Sequence, residues 1–195
     1  MSETDDPYVY PGTTTLRNRL GLTDPNDLDR VERLYAADRA TQPIPRGRLD
    51  LRHLRAIHRH LFQDVYDWAG ELRTVEISKG RQQFQFWQYI QTGMADVHRG
   101  LERARFLRGL PPAEFAAQAA VIIGDINYIH PFREGNGRTQ LQYLKQFTIE
   151  AGHRLDLVRI AGERWIAASI ASHAADYAPM TEVLSEALAP PPRGR

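Results

Sequence analysis

The chain of 195 residues contains no cysteine. Disulfides, thiolate zinc sites, iron–sulfur clusters and cysteine nucleophiles are thereby excluded, and a reducing compartment, the cytoplasm, is the expected location. Lysine is almost as scarce, with Lys79 and Lys145 the only two among 25 basic residues. Neither stands in a Gly-Lys-Ser/Thr context, so there is no P-loop. An excess of one charge is also lacking, because 25 basic and 24 acidic residues leave a net charge of +1. Such a balance supplies no bulk field for direct nucleic-acid binding. No run approaches the roughly 18 apolar residues of a membrane span, and Met1 to Tyr10 is acidic where a secretory signal would be basic and then apolar. The expectation is a protein that engages neither nucleic acid nor membrane.

What is present is the composition of one ordinary globular domain, 42% hydrophobic and 25% charged. A chain of this size buries roughly 70% of the surface it exposes when unfolded, enough for a core without staples. A single domain over residues 1–195 is expected, with an ordered core from about residue 8 to 189 and a Pro-rich frayed tail, Pro190 to Arg195.

Most of that core reads as helix. Thr23-Asp24-Pro25 opens a helix with a capping residue and an early proline, and Leu28, Val31, Leu34 and Tyr35 carry it to about Ala40. From Asp50, the residues Leu51, Leu54, Ile57, Leu61 and Phe62 repeat at helical spacing, which predicts a second helix ending before Gly70. Between Arg73 and Phe86 the texture alternates around a Lys79-Gly80 turn, the pattern of a short β-hairpin. Helical spacing returns over Tyr89 to Leu101. It returns again after Pro111-Pro112 over Phe115 to Ile126, a segment apolar on most sides and therefore the buried centre. Further helices are expected from Asn136 to Ala151, Glu163 to Ala175 and Met180 to Leu188. The predicted fold class is all-α, a single helical domain with one short hairpin.

Between the central helix and the next lies His130-Pro131-Phe132-Arg133-Glu134-Gly135-Asn136-Gly137-Arg138. Pro131 cannot continue the helix and restricts His130, which places the imidazole at a chain reversal that Phe132 can anchor in the core. Gly135 and Gly137 allow close approach of a ligand to the backbone, and a helix opening near Asn136 turns free N–H groups toward that space. Arg138 sits in the first turn, where a cation is unfavourable for the helix alone, so an anionic ligand accounts for it. Glu134 beside a phosphate calls for a divalent ion between them, and magnesium takes one carboxylate plus phosphate oxygens. His130 completes the set as general base toward a hydroxyl. Each element taken singly is an ordinary cap or turn; their convergence in nine positions points to phosphoryl or nucleotidyl transfer. Gly135-x-Gly137 has Gln140 where a dinucleotide fingerprint needs a third glycine.

These nine positions resemble the signature of Fic domains, His-Pro-Phe-x-Asp/Glu-Gly-Asn-Gly-Arg. The resemblance extends from Tyr10-Pro11-Gly12 and Leu16-Arg17-Asn18 through Arg73-Thr74-Val75-Glu76-Ile77-Ser78-Lys79-Gly80 to the last helices. It implies a helical domain that transfers AMP from ATP to a Tyr, Ser or Thr hydroxyl of a target protein. His130 would deprotonate the hydroxyl and Glu134 would hold Mg2+. Gly135, Asn136 and Gly137 would bind phosphate oxygens, and Arg138 would neutralise the pyrophosphate side. Ile77, Ser78, Lys79 and Gly80 match the flap that docks the target by strand addition.

The sequence departs from that pattern at Leu141, where the family carries a second arginine associated with the γ-phosphate. Lys145 lies one turn further along the same face. Two alternatives follow: a different nucleotide or phosphate donor, or a non-catalytic partner-binding module. The family's inhibitory Ser/Thr-x-x-x-Glu-Gly/Asn motif is absent, since only Glu134 precedes Gly or Asn and His130 stands four before it. The resemblance then implies a toxin restrained by a small separate antitoxin, with a DNA topoisomerase subunit as the family-based target. His53, His58 and His60 cannot converge on one helix and are expected to be solvated. Phe84, Phe86, Trp87 and Tyr89 are expected in the core.

Overall fold

The structure, a computed structural model, describes residues 6–80, 82–160 and 162–188; the tail from Pro190 to Arg195 lies outside them. Among the described residues, seven α-helices, three short 3-10 helices and one hairpin account for the regular structure. Helix α1 (Pro25–Thr41) starts where its sequence signal stands, with the Asp24 carboxylate accepting from the Asn26 and Asp27 amides. Helix α2 (Leu51–Phe62) is capped by Asp50, which accepts from the His53 amide at 2.8 Å. It ends at Phe62, the last residue of the apolar spacing and before Gly70, as expected. Beyond Phe62 the chain continues in turns that keep Val65, Tyr66 and Ala69 buried after the helical path has ended.

Helix α4 (Pro112–Ile129) is the centre, as its all-round apolar pattern predicts. Phe115, Ala119, Ile123 and Ile126 are wholly buried, and α3 (Ile90–Arg103), α5 (Asn136–Glu150), α6 (Glu163–Ser172) and α7 (Ala178–Ala187) all pack on it. Helix α2 lies against α1, α3 and α5. Helix α6 stops at Ser172 rather than Ala175, which takes a left-handed φ of 59°.

The hairpin is shorter than its alternating texture suggests. Strands β1 (Ser78–Lys79) and β2 (Gln82–Gln83) pair antiparallel, Ser78 with Gln83 and Lys79 with Gln82. Lys79 therefore belongs to the ladder and not to the turn. Neither strand has a buried residue, so there is no apolar face to extend the ladder, although the Phe84 amide still donates to the Ile77 carbonyl at 3.3 Å.

Three expectations about side chains are corrected. His53 and His58 are buried, not solvated. His53 Nε2 bonds Pro45 O, while His58 bridges two loops; they do not converge with His60, which bonds Arg39 O. Phe84 is in the core, but Phe86, Trp87 and Tyr89 are exposed because the chain turns there onto the surface ahead of α3.

Candidate active site

Helix α4 ends at Ile129, and His130 caps it in the left-handed region at φ 47°, ψ 65°. A residue before proline ordinarily takes an extended conformation, so this geometry must be held by its surroundings. Its imidazole stacks on Phe84 with 3.8 Å between ring centroids, and Nδ1 lies 3.1 Å from Asn127 O. Because that carbonyl only accepts, Nδ1 carries the proton and Nε2 keeps its lone pair. Burial, aided by the nearby charges of Arg73 and Lys79, pushes the His130 pKa down to about 4. The ring is a neutral proton acceptor at physiological pH.

The turn that follows is tied from within and from below. Phe132 is wholly buried, stacked on His58 at 3.9 Å, and the Asn136 side chain closes the loop by accepting from Phe132 N at 2.9 Å and donating to Phe132 O at 2.8 Å. Both polar atoms of Asn136 are thus committed inside the protein, which leaves its backbone amide for any ligand. His58 Nε2 donates to Glu134 O at 2.9 Å, while Nδ1 accepts from Gly70 N at 2.8 Å. Burial lowers its pKa to about 3, so this bridge is made by a neutral imidazole.

The two glycines act differently from one another. Gly135 has φ 79°, and a Cβ there would meet the Phe62 ring at 2.4 Å, so its role is internal packing and not close ligand approach. A Cβ at Gly137 would meet nothing within 4 Å, which leaves backbone open at the start of α5. That helix has no side-chain cap, and its opening amides are available to an anion.

Arg138 has a protein partner that the sequence did not disclose. Its guanidinium pairs with Glu32, a buried carboxylate on α1 that also accepts from Tyr66 Oη, and lies 4.8 Å above the Phe62 ring. Burial raises the Glu32 pKa against the pull of Arg138. The Glu134 carboxylate stands 3.5 Å from the same guanidinium and accepts from Gly135 N at 2.8 Å. Arg138 is thus held between two carboxylates.

One cavity of about 500 Å³ joins these parts. His130, Glu134, Gly135, Asn136, Gly137 and Arg138 line one side, and Ile77, Ser78 and Lys79 of the hairpin line another. Trp165, Ile166 and Ile170 of α6 add an apolar wall. Gly80 is not among the lining residues but sits at the hairpin tip with φ 60°. Leu141 is half-buried and lines the same cavity, whereas Lys145 is exposed and faces a separate concavity with Gln142 and Ile149.

The Fic/DOC family model matches residues 48–148, more than half of the chain. The chain belongs to the Fic/DOC family. Over 177 residues this Fic/DOC protein is 43% identical to the probable protein adenylyltransferase y4lH of Sinorhizobium fredii, covering 90% of this chain and 92% of the relative. It is 36% identical over 190 residues to the probable protein adenylyltransferase Fic of Escherichia coli, covering 95% and 94%. The BepC protein of Bartonella tribocorum, solved with bound AMPPNP, superposes with a TM-score of 0.88 at 27% identity over 97% of this chain and 100% of that one. The similarity spans nearly the whole of both chains. Three residues that shape the site, Glu32, His58 and Arg73, carried no signal as such in the sequence. Only the helical spacing of His58 with Leu54 and Phe62 hinted that it faced inward.

Proposed function

We propose that this chain is a magnesium-dependent protein adenylyltransferase that attaches AMP from ATP to a Tyr, Ser or Thr hydroxyl of a target protein. The observation that carries the reading is one arrangement: a neutral imidazole with a free Nε2 lone pair lines the same cavity as the uncapped amides of α5. The relatives named protein adenylyltransferases and the AMPPNP-bound relative support it.

In the proposed step the target hydroxyl oxygen bonds to the α-phosphorus of ATP while the bond to the bridging oxygen of pyrophosphate breaks. The hydroxyl proton passes to His130 Nε2, and pyrophosphate leaves. The backbone amides of Asn136 and Gly137 hold phosphate oxygens, the Gly135 amide being taken by the Glu134 carboxylate, and Arg138 offsets charge on the leaving side. Glu134 would hold Mg2+ through Oε2, since its Oε1 accepts from Gly135 N and faces Arg138. A lone carboxylate lining the cavity suits an ion whose other ligands are phosphate oxygens and water, the usual donor set of magnesium. The ion would supply charge neutralisation at the phosphates. The segment Ile77 to Gly80 docks the target, since β1 pairs with β2 on one edge only and its other edge can accept an extended strand.

Leu141 favours a second reading in which the donor is another nucleotide or phosphate compound, because the cavity has an apolar side chain where the family places a second cation. A small antitoxin restraining a toxin, a DNA topoisomerase subunit as target and a cytoplasmic location extend the proposal. No helix among the described residues is long and apolar enough to cross a membrane. The test is His130→Ala, judged folded by its circular dichroism and melting, incubated with Mg2+, ATP and a bacterial lysate. The proposal expects AMP on a lysate protein with the parent chain and none with the variant; equal modification by both would overturn it.

A further inference from the structure

Arg73 is 1% exposed, deeply buried for a cation, and every hydrogen bond of its guanidinium goes to a backbone carbonyl. Nε donates to His130 O at 2.8 Å and Nη2 to Ile129 O at 3.2 Å, while Nη1 donates to Val75 O at 2.7 Å and Nη2 also to Gln85 O. The Arg73 backbone amide donates to Pro131 O at 2.9 Å. Its counterion is Glu76, 3.6 Å away, which also accepts from the Trp87 amide.

The carbonyls at the end of a helix need partners from outside it, and a bulky residue in the left-handed region needs to be held there. At the end of α4 the accounting closes. Ile126 O accepts from His130 N, Asn127 O from His130 Nδ1, and Tyr128 O from Gln85 N at 3.1 Å; Ile129, His130 and Pro131 are all taken by Arg73. The remaining two partners of Arg73, Val75 and Gln85, are the two roots of the hairpin. One rigid planar fork thus joins the turn that presents the base to both ends of the segment that would dock the target.

We propose that Arg73 is a positioning residue that fixes the hairpin and His130 relative to each other, so that a hydroxyl carried on a strand docked at β1 arrives at His130 Nε2. The inference rests on the reading of the cavity as a transfer site, but its geometry can be tested separately. A lysine at this position keeps the charge and can reach some carbonyls, yet a single ammonium cannot span Val75, Gln85, Ile129 and His130 together.

The test compares Arg73→Lys and Arg73→Ala with the parent chain. Hydrogen exchange at the Phe84 and Gln85 amides reports the hairpin roots without requiring activity, and imidazole NMR reports the His130 tautomer. Steady-state transfer reports function per folded molecule. The groups facing His130 are Arg73, Lys79 and His173, and Arg73→Lys keeps the positive charge at that position. For Arg73→Lys the expected result is exchange at Phe84 and Gln85 at least tenfold faster and a kcat at least tenfold lower, with the KM for ATP within twofold. Arg73→Ala, if it folds, should be worse than Lys in both respects. Exchange and kcat both within twofold of the parent in Arg73→Lys would overturn the proposal, as would loss of ATP affinity with kcat intact. Absence of transfer by the parent chain would instead refute the transferase reading, with the exchange and tautomer measurements still deciding whether Arg73 couples the hairpin to His130.

Discussion

Glu32 and Arg138 stand 106 residues apart in the chain and meet in one ion pair, the carboxylate buried on α1 and the guanidinium at the start of α5. The pair brings the first helix to the site and restrains Arg138 before any ligand arrives. Removing one partner of a buried pair is costly because the other charge is left uncompensated. Glu32→Ala should destabilise the fold by about 2–3 kcal/mol, discounted for the partial exposure of Arg138. Glu32→Gln, which keeps a partner for Tyr66, should cost less. Urea unfolding midpoints of both variants check this, and a loss below 0.5 kcal/mol for Ala would show the pair to be incidental.

Gly135 and Gly137 should separate structure from binding. Gly135→Ala forces a left-handed residue against Phe62 and is expected to lower stability by about 2 kcal/mol or more. Gly137→Ala should leave stability within about 0.5 kcal/mol, while its methyl group intrudes on the open helix start and weakens nucleotide binding several-fold. Thermal melts and calorimetric titration with ATP give the two readings.

Stability should depend on pH through His58. Its folded pKa of about 3 lies below an unfolded value near 6.5, so the unfolded chain takes up the proton first. The contribution is fully present above pH 6.5 and is lost as pH falls toward 3, about 2 kcal/mol of it between pH 7 and 5. His58→Gln should remove about half of the slope of urea stability over that interval, His130 supplying a term of similar size. The same sign applies to His130, whose folded value is about 4, and kcat/KM should accordingly show its acidic limb near 4 and not near 6.5.

How legible all this was in the sequence depended on whether a residue's partner was near or far. The His-Pro break, the Gly-Asn-Gly turn and the cap at Asp24 are local devices, and each is found where the sequence puts it. The end of α2 at Phe62 likewise agrees with its spacing, whereas the end of α6 at Ser172 was hidden because the next residues keep helix-compatible side chains while the backbone turns to a left-handed φ at Ala175. Arg73, His58 and Glu32 were opaque for another reason. Most of their partners are backbone groups, or side chains distant in sequence, and no spacing rule encodes a contact of that kind. Asn136 was legible as a site residue but not in its task, since both side-chain polar atoms close the loop on Phe132.

Leu141 sets the expectation for donor choice. With an apolar side chain in the cavity, ATP and ADP should bind within a few-fold of each other. Leu141→Arg should tighten ATP selectively by up to about tenfold, the equivalent of one charge-assisted contact of about 1.4 kcal/mol. Titration calorimetry with both nucleotides measures this, and equal gains for ATP and ADP would contradict the assignment of that position to the γ-phosphate side.

The central claim is transfer of AMP to a protein hydroxyl by His130. The most direct measurement supplies Mg2+ and ATP labelled at either the α or the γ phosphate to the chain in a bacterial lysate, with His130→Ala alongside. The account predicts protein-bound label from the α position alone, absent in the variant, and the labelled band then identifies the target. Label from the γ position, or label that persists in His130→Ala, would contradict it.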